Sequence, residues 1–269
     1  MFDVVAVRLR SLNESERKKG SSDLFRKMTG WRVIPNKNAV VQLSDKGAPL
    51  PAKNGRTSFS FNRAFDGNSS NEDIYSLCEK TLESFLSGIN SSIISYGHTG
   101  SGKTFTIFGN QSKQGLIHLA GQDIINNINR NPNLKFTLKM SAFELYNQGV
   151  RDLKTNTPIN PRQDPKTKLL MDVSEVDIVD LNSFNNFVQT CIQNSSVRKT
   201  EMNANSSRSH VILRMTLTGI VVGRSSEHKG ADFKSTLHVV DLAGSNTSLR
   251  TTKKIDGNQQ KEANNINKG

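Results

Sequence analysis

Residues Gly97-His98-Thr99-Gly100-Ser101-Gly102-Lys103-Thr104 fit the spacing G-x-x-x-x-G-K-[ST] at every fixed position. Glycines spaced in this way let backbone N–H groups turn inward around phosphate oxygens. The lysine then reaches the β- and γ-phosphates, and the hydroxyl that follows it suits Mg²⁺. On this reading Lys103 is the phosphate-contacting cation and Thr104 a magnesium ligand. A second stretch, Leu237–Val240, is apolar and ends at Asp241, with Gly244 three residues on. An acid at a strand end serves a magnesium shell, and the glycine amide can be offered to a γ-phosphate. The D-x-x-G pattern alone is common and often only caps a turn; beside the phosphate loop it becomes persuasive. A third stretch, Asn205-Ser206-Ser207-Arg208-Ser209-His210, sets two adjacent hydroxyls next to an arginine that can pair with an acid. Ser206 and Ser207 suit Mg²⁺ and a γ-phosphate, although in isolation the segment reads more readily as a polar turn or helix cap. The guanine-reading pattern N-K-x-D is absent, since Asn36-Lys37 and Asn267-Lys268 both lack the aspartate.

Elements must carry these segments. Residues 4–9 are a short strand candidate, and residues 31–65 read as turns and short strands ending in the alternating FSFNRAF. From Asn71 to Gly88 the spacing predicts one helix: Ile74, Leu77, Cys78, Thr81, Leu82, Phe85 and Leu86 share a stripe, acids occupy the first turn, and Gly88 is the stop. Ile93–Ser95 is a strand feeding the glycine-rich turn. A helix follows over Leu116–Ile128, then a strand over 135–145 and a polar loop over 155–168. A further helix carries Phe184, Phe187, Val188, Cys191 and Ile192 on one face. Residues 211–217 alternate as a half-buried strand, 222–235 form a polar turn, and LHVVDLAG returns as a buried strand. Interleaved strands and helices predict an α/β sheet with helices on both faces.

The 269 residues suffice for one large domain or two small ones with ample core. No apolar run approaches the length that spans a bilayer, and the opening MFDVVAVRLR lacks a signal-peptide apolar stretch. Cys78 and Cys191 lie in apolar stripes without metal-ligand spacing, which fits a reduced intracellular setting. The formal net charge of +12 implies solubility or an acidic polymer partner. Basic residues are spread out, with local groups at Arg162, Lys166 and Lys168 and at Arg250, Lys253 and Lys254. No aromatic-interleaved RNA-binding pattern accompanies them, so an acidic protein surface is favoured over nucleic acid.

Taken together, the segments resemble the kinesin motor domain. The resemblance runs from residue 4 to the last residue and is carried, in the family's order, by VVAVRLRSLNESE, FSFNRAF, YGHTGSGKTFT, FELYNQGVRDL, TEMNANSSRSH, VVDLAGSN and KEANNINK. It implies a P-loop nucleotide-hydrolase fold with a mixed, mostly parallel central sheet and helices on both faces, forming a single domain over residues 1–269. It also implies ATP/ADP and Mg²⁺ as ligands, microtubules as partner, and a cytoplasmic, microtubule-associated setting. By position, Gly97 to Phe105 form the nucleotide loop. Arg8, Arg10 and Phe105 match adenine contacts, with core as the alternative for Phe105 and a solvated strand residue as the alternative for Arg8. Ser206, Ser207 and Arg208 match the first phosphate-sensing switch, with Ser207 at the metal; Asp241 and Gly244 match the second. Lys253 and Lys254 fall in the tubulin-facing loop or are a solvated basic pair.

Four departures qualify the match. Ser11 stands where the family has proline, next to the adenine-side arginines, and His98 replaces a glutamine in the phosphate loop. Asn246 stands where the family has the glutamate that pairs with the switch arginine, here Arg208, and relays a proton from the attacking water. Asparagine can hydrogen-bond Arg208 but takes up no proton near neutral pH. Finally, the chain ends inside the family's main microtubule-facing helix, before one strand, further helices and the neck, which implies a fragment of a longer protein or a rearranged one. Two functions follow: an ATP-driven microtubule motor, or a non-motile nucleotide-binding protein that binds tubulin or a partner kinesin chain. A P-loop ATPase acting on nucleic acid ranks far below both, because it leaves TEMNANSSRSH unexplained.

Overall fold

The structure is a computed structural model that describes residues 4–12, 30–44, 46–52, 54–131, 134–146, 149–162, 172–201, 209–221 and 233–245. The chain divides into two compact units, Met1–Leu77 and Cys78–Gly269.

In the first unit, strand β1 (Ala6–Arg8) pairs in parallel with β5 (Arg63–Phe65). Strands β2 (Trp31–Ile34), β3 (Ala39–Gln42) and β4 (Ser58–Ser60) form an antiparallel meander. The first hairpin turns through Pro35–Lys37 and a left-handed Asn38 (φ 45°), a conformation asparagine tolerates better than most residues. Ala39, Val40, Val41 and Phe65 are buried here, and the Trp31 and Phe59 rings meet at 6.1 Å.

The single helix expected over Asn71–Gly88 is two helices, α1 (Asn71–Tyr75) and α2 (Glu79–Leu86). Its start agrees with the pattern. Ser70 accepts from the Asp73 amide (3.1 Å), while the Asp73 carboxylate accepts from the Ser70 amide (2.7 Å), a reciprocal capping box. The break has a local cause. The Ser76 hydroxyl donates back to the Asp73 carbonyl (2.7 Å) and the Leu77 amide to the Ile74 carbonyl (3.1 Å), so the chain tightens and leaves the α-helical path.

The second unit is built on a seven-stranded sheet. Its path runs β6 (Ser91–Ser95), β12 (Phe233–Asp241), β11 (His210–Val221), β7 (Leu134–Tyr146), β8 (Gly149–Asp152), β9 (Pro158–Ile159), with β10 (Val176–Ile178) also on β7. The sheet is mixed, as expected, but its weighting is not mostly parallel: among the described residues only β6–β12 runs parallel in it, and every other pairing is antiparallel. Short returns such as the one from β7 to β8 need no crossover helix, so they favour antiparallel neighbours. Two expected loops are partly strand. The polar stretch from 155 contains β9, and β12 already begins at Phe233 within the expected 222–235 turn. Residues 163–168 and 222–232 of those loops lie outside the described residues.

The other helices among the described residues are α3 (Lys103–Phe108), α4 (Leu116–Arg130) and α5 (Leu181–Glu201). Alternation along β12 buries Ser235, Leu237, Val239 and Asp241 on one face. Helix α2 meets that face where Ser235 donates to the Phe85 carbonyl (2.6 Å), and α3 meets it where Thr104 donates to Asp241 (2.6 Å). Register carries the same face to Glu144, which accepts from Ser195 of α5 (3.4 Å). The described residues thus supply the helices of one face; on the other, Ile94 is 60% exposed. The stripe expected on α5 is the one buried: Phe184, Phe187, Val188 and Cys191 are each at most 3% exposed. Burial pushes the Cys78 thiol up to about 11 and the Cys191 thiol up to about 12, which keeps both protonated and inert.

Helix α4 is locked to α5 at a close approach. A β-carbon on Gly121 would meet the Phe184 ring, with Cδ1 at 2.7 Å. Gly121→Ala should therefore destabilise the protein by about 1–3 kcal/mol. In urea denaturation, combining it with Phe184→Leu should cost less than the two single changes added together; strict additivity would refute the contact. The fold also carries a pH signature. Burial holds His118 and His238 below the usual histidine value, with Arg214 adding to the effect at His238. Between their folded values and 6.5 the unfolded chain binds more protons. Their contribution is thus complete above pH 6.5 and lost as pH falls below it. The melting temperature should decline as the pH is lowered below 6.5. His238→Gln should flatten that decline, and an unchanged slope would count against the assignment.

Candidate nucleotide-binding site

The site follows from strand direction. Because β6 and β12 run parallel with Ser95 opposite Asp241, the segments leaving them start side by side. β11 runs antiparallel with Val211 opposite Asp241, so the chain enters it at this same edge. The glycine loop after Ser95, the Leu242–Ser245 segment after Asp241 and the His210 end of β11 therefore converge. Strand carboxyl ends at the edge of such a sheet are where α/β folds place ligands.

The loop is shaped by its own residues. The Ser101 amide donates to the His98 carbonyl (3.1 Å), closing a turn. Gly102 then takes a left-handed conformation (φ 98°) as the cap of α3, a position that a side chain would strain. The Lys103 ammonium donates to the carbonyls of Gly97 (2.9 Å) and His98 (3.0 Å), so the cation is folded back over the loop. Partial burial lowers the Lys103 pKa, and the Asp241 carboxylate opposes that shift. His98, exposed, donates from Nδ1 to the Thr99 carbonyl (2.7 Å) and so serves the loop locally. Gly100 lies exposed in the turn, and Phe105 is half-buried on α3.

Asp241 is 6% exposed and shared by two hydroxyls. Thr104 donates to Oδ2 (2.6 Å) and Ser95 to Oδ1 (3.2 Å). A hydroxyl beside a buried carboxylate at the mouth of a phosphate loop is an oxygen donor set suited to Mg²⁺, which prefers few protein ligands plus phosphate and water. Among the described residues no group of three or more His, Cys, Asp or Glu side chains forms a transition-metal site. The Leu242–Ser245 segment is pinned to the loop. The Ser245 amide donates to the Gly97 carbonyl (3.0 Å) and the Leu242 amide to the Ser95 carbonyl (3.3 Å). Gly244 is buried, and a β-carbon there would overlap Thr99, lying 2.9 Å from its backbone nitrogen.

The structure thus brings together Gly97 to Thr104, Asp241 and Gly244. Arg8, Arg10 and Ser11 belong to the first unit and are described there alone. Arg8 donates to Asn71 Oδ1 (2.7 Å) and the Ser69 carbonyl (3.1 Å), and burial lowers its pKa. Arg10 donates to the Ser11 carbonyl (3.0 Å). Ser11, where a proline was expected, uses its hydroxyl to bond the Gly67 carbonyl (2.7 Å). Ser206, Ser207, Arg208, Asn246, Lys253 and Lys254 lie outside the described residues. Two participants were not singled out from sequence. Ser95 is the last residue of β6 and needs the strand register to find it. His210 closes the NSSRSH motif, and its Nδ1 accepts from the Ala243 amide (3.1 Å).

Comparison with known proteins decides the lineage. The kinesin motor-domain family profile matches residues 8–269. The chain belongs to the kinesin motor-domain family. It is 31% identical to human centromere-associated protein E over 98% of its own length and 9% of that protein's. It is 30% identical to mouse chromosome-associated kinesin KIF4, covering 98% of this chain and 21% of that one. With the rice kinesin-like protein KIN-7C it shares 34% identity over 90% of its length and 26% of the relative's. The chain therefore spans only a minor part of these curated relatives. A solved structure of a fast kinesin superposes with a TM-score of 0.78 at 25% identity, covering 97% of this chain and 70% of the other. The fold is that of a kinesin motor, a mixed α/β P-loop architecture. Kinesin motor domains are microtubule-stimulated ATPases that bind ATP or ADP with Mg²⁺.

The close approach at Gly244 is directly testable. Gly244→Ala should push the segment off the loop and weaken binding of a fluorescent ATP analogue by about tenfold or more. Adding Thr99→Gly should recover part of the loss. A single variant that binds like wild type would show that the contact does not matter.

Proposed function

We propose that residues 1–269 act as a kinesin motor domain that binds ATP with Mg²⁺, engages microtubules and hydrolyses ATP slowly. The convergence of Lys103, Thr104, Asp241 and Gly244 at one sheet edge carries this reading. The loop amides and Lys103 hold the outer phosphates, and Phe105 offers a ring face to the base. Thr104 and Asp241, with Ser207, hold the metal. When bound, Mg²⁺ neutralises charge on the phosphate oxygens. Gly244 offers its amide toward the terminal phosphate, and Ser206 and Arg208 complete the sensing segment. The net charge of +12 matches the acidic surface of tubulin, with an attraction that salt should weaken.

Asn246 sets the expected rate. In the family that position carries a glutamate that relays a proton, whereas the asparagine here can hydrogen-bond Arg208 but accepts no proton. The loss of a proton-relaying group costs roughly 10²–10⁴-fold in rate. The same substitution supports a second reading, a non-motile nucleotide-binding protein that docks on tubulin or on a partner kinesin chain. Phosphate release with and without microtubules separates the two. The motor reading expects a low basal rate that microtubules raise; the non-motile reading expects binding with no stimulation. Asn246→Glu should increase turnover by at least tenfold, and an unchanged rate in a folded variant would refute the role given to this residue.

A further inference from the structure

We propose that His210 is a positioning residue that sets the Leu242–Ser245 segment for sensing the terminal phosphate. The inference rests on the nucleotide-binding reading above. Its basis is one bond: the Ala243 amide donates to His210 Nδ1 at 3.1 Å. An N–H donor requires a lone pair on Nδ1, so the ring is neutral with its proton on Nε2. Burial supports that state by holding the His210 pKa below the ordinary value, although Asp241 opposes it.

Position gives the bond its consequence. His210 opens β11 directly after the hydroxyl-rich NSSRS stretch. Ala243 lies between Asp241, which accepts from Thr104 and Ser95, and Gly244, which packs on Thr99. Fixing the Ala243 amide limits rotation of the neighbouring peptide, and the planar peptide that follows carries the Gly244 amide. The Ser245 amide is held in turn by the Gly97 carbonyl (3.0 Å). The Gly244 amide therefore sits between two anchored amides, one tied to the phosphate loop and the other to the strand that follows the hydroxyl-bearing segment. The loop amides and Lys103 also reach the β-phosphate, which ADP retains, so the His210 bond bears on ATP more than on ADP.

The test uses conservative replacements and compares two nucleotides. Asparagine places its amide oxygen as many bonds from Cα as Nδ1 and retains an acceptor; leucine removes the acceptor while keeping bulk. Affinities for a non-hydrolysable ATP analogue and for ADP would be measured in the full chain with Mg²⁺, alongside melting temperature. His210→Leu should weaken the ATP analogue by about fivefold to tenfold with little change for ADP. His210→Asn should restore the wild-type preference to within about threefold. A folded His210→Leu with the wild-type ATP/ADP ratio would overturn the proposal, as would His210→Asn failing as fully as leucine. If the leucine variant does not fold, His210→Gln replaces it, since its acceptor reaches one bond too far; a wild-type ratio there is equally fatal. A wild-type chain that binds neither nucleotide would sink the parent reading and this inference with it. Binding of both nucleotides with no effect at His210 would sink this inference alone.

Discussion

The parallel pairing of β6 with β12, with Ser95 opposite Asp241, is the constraint on which the site depends. Parallel neighbours end at the same edge, so the glycine loop and the Asp241 segment emerge together without any further instruction. Antiparallel β11 then delivers its first residue, His210, to that edge. A slip of one residue in either pairing would turn Asp241 to the opposite face and separate it from Thr104. The burial pattern resists such a slip. Ser235, Leu237 and Val239 share the face of Asp241 and are fully buried, so a shifted register would expose apolar surface at several positions at once.

Placing a carboxylate in that buried row is costly unless it is satisfied. Asp241 is satisfied by the Thr104 and Ser95 hydroxyls, both of which come from the elements that frame the loop. The same pair of bonds ties α3 and β6 to β12, so the group suited to a metal also holds the cradle in shape. Lys103 shows a related economy, lying over the carbonyls of Gly97 and His98 within reach of the field of Asp241. Both charges are thus held by internal partners, and their arrangement is built into the fold.

Much of this was legible in the sequence. The glycine spacing identified the loop, its lysine and its threonine, and the apolar run before Asp241 identified a strand with an acid at its end. Alternation in 211–217 and the stripe on α5 matched the buried residues found. What escaped had specific physical causes. Residues 71–88 have an unbroken apolar stripe, yet the back-bond of Ser76 splits the helix, a competition that periodicity does not register. The two-residue β9 contains a proline and lies in a polar stretch, so only its pairing with β8 reveals it. The antiparallel weighting of the sheet depends on which strands meet, and a list of strands does not contain that information.

By itself the sequence determined the chemistry available to this kinesin family member: a glycine-rich loop whose amides suit phosphate, a cation beside it, oxygens that suit magnesium, and an uncharged asparagine at position 246. These are properties of side-chain type and local spacing, which the chain carries before it folds. Tertiary structure alone decided that Ser95, Thr104, Asp241, Gly244 and His210 become neighbours. Ser95 and Asp241 are 146 residues apart, and they meet only because two strands pair in parallel and in register. Contacts at that separation arise from long-range backbone pairing and shared burial, which no local pattern encodes.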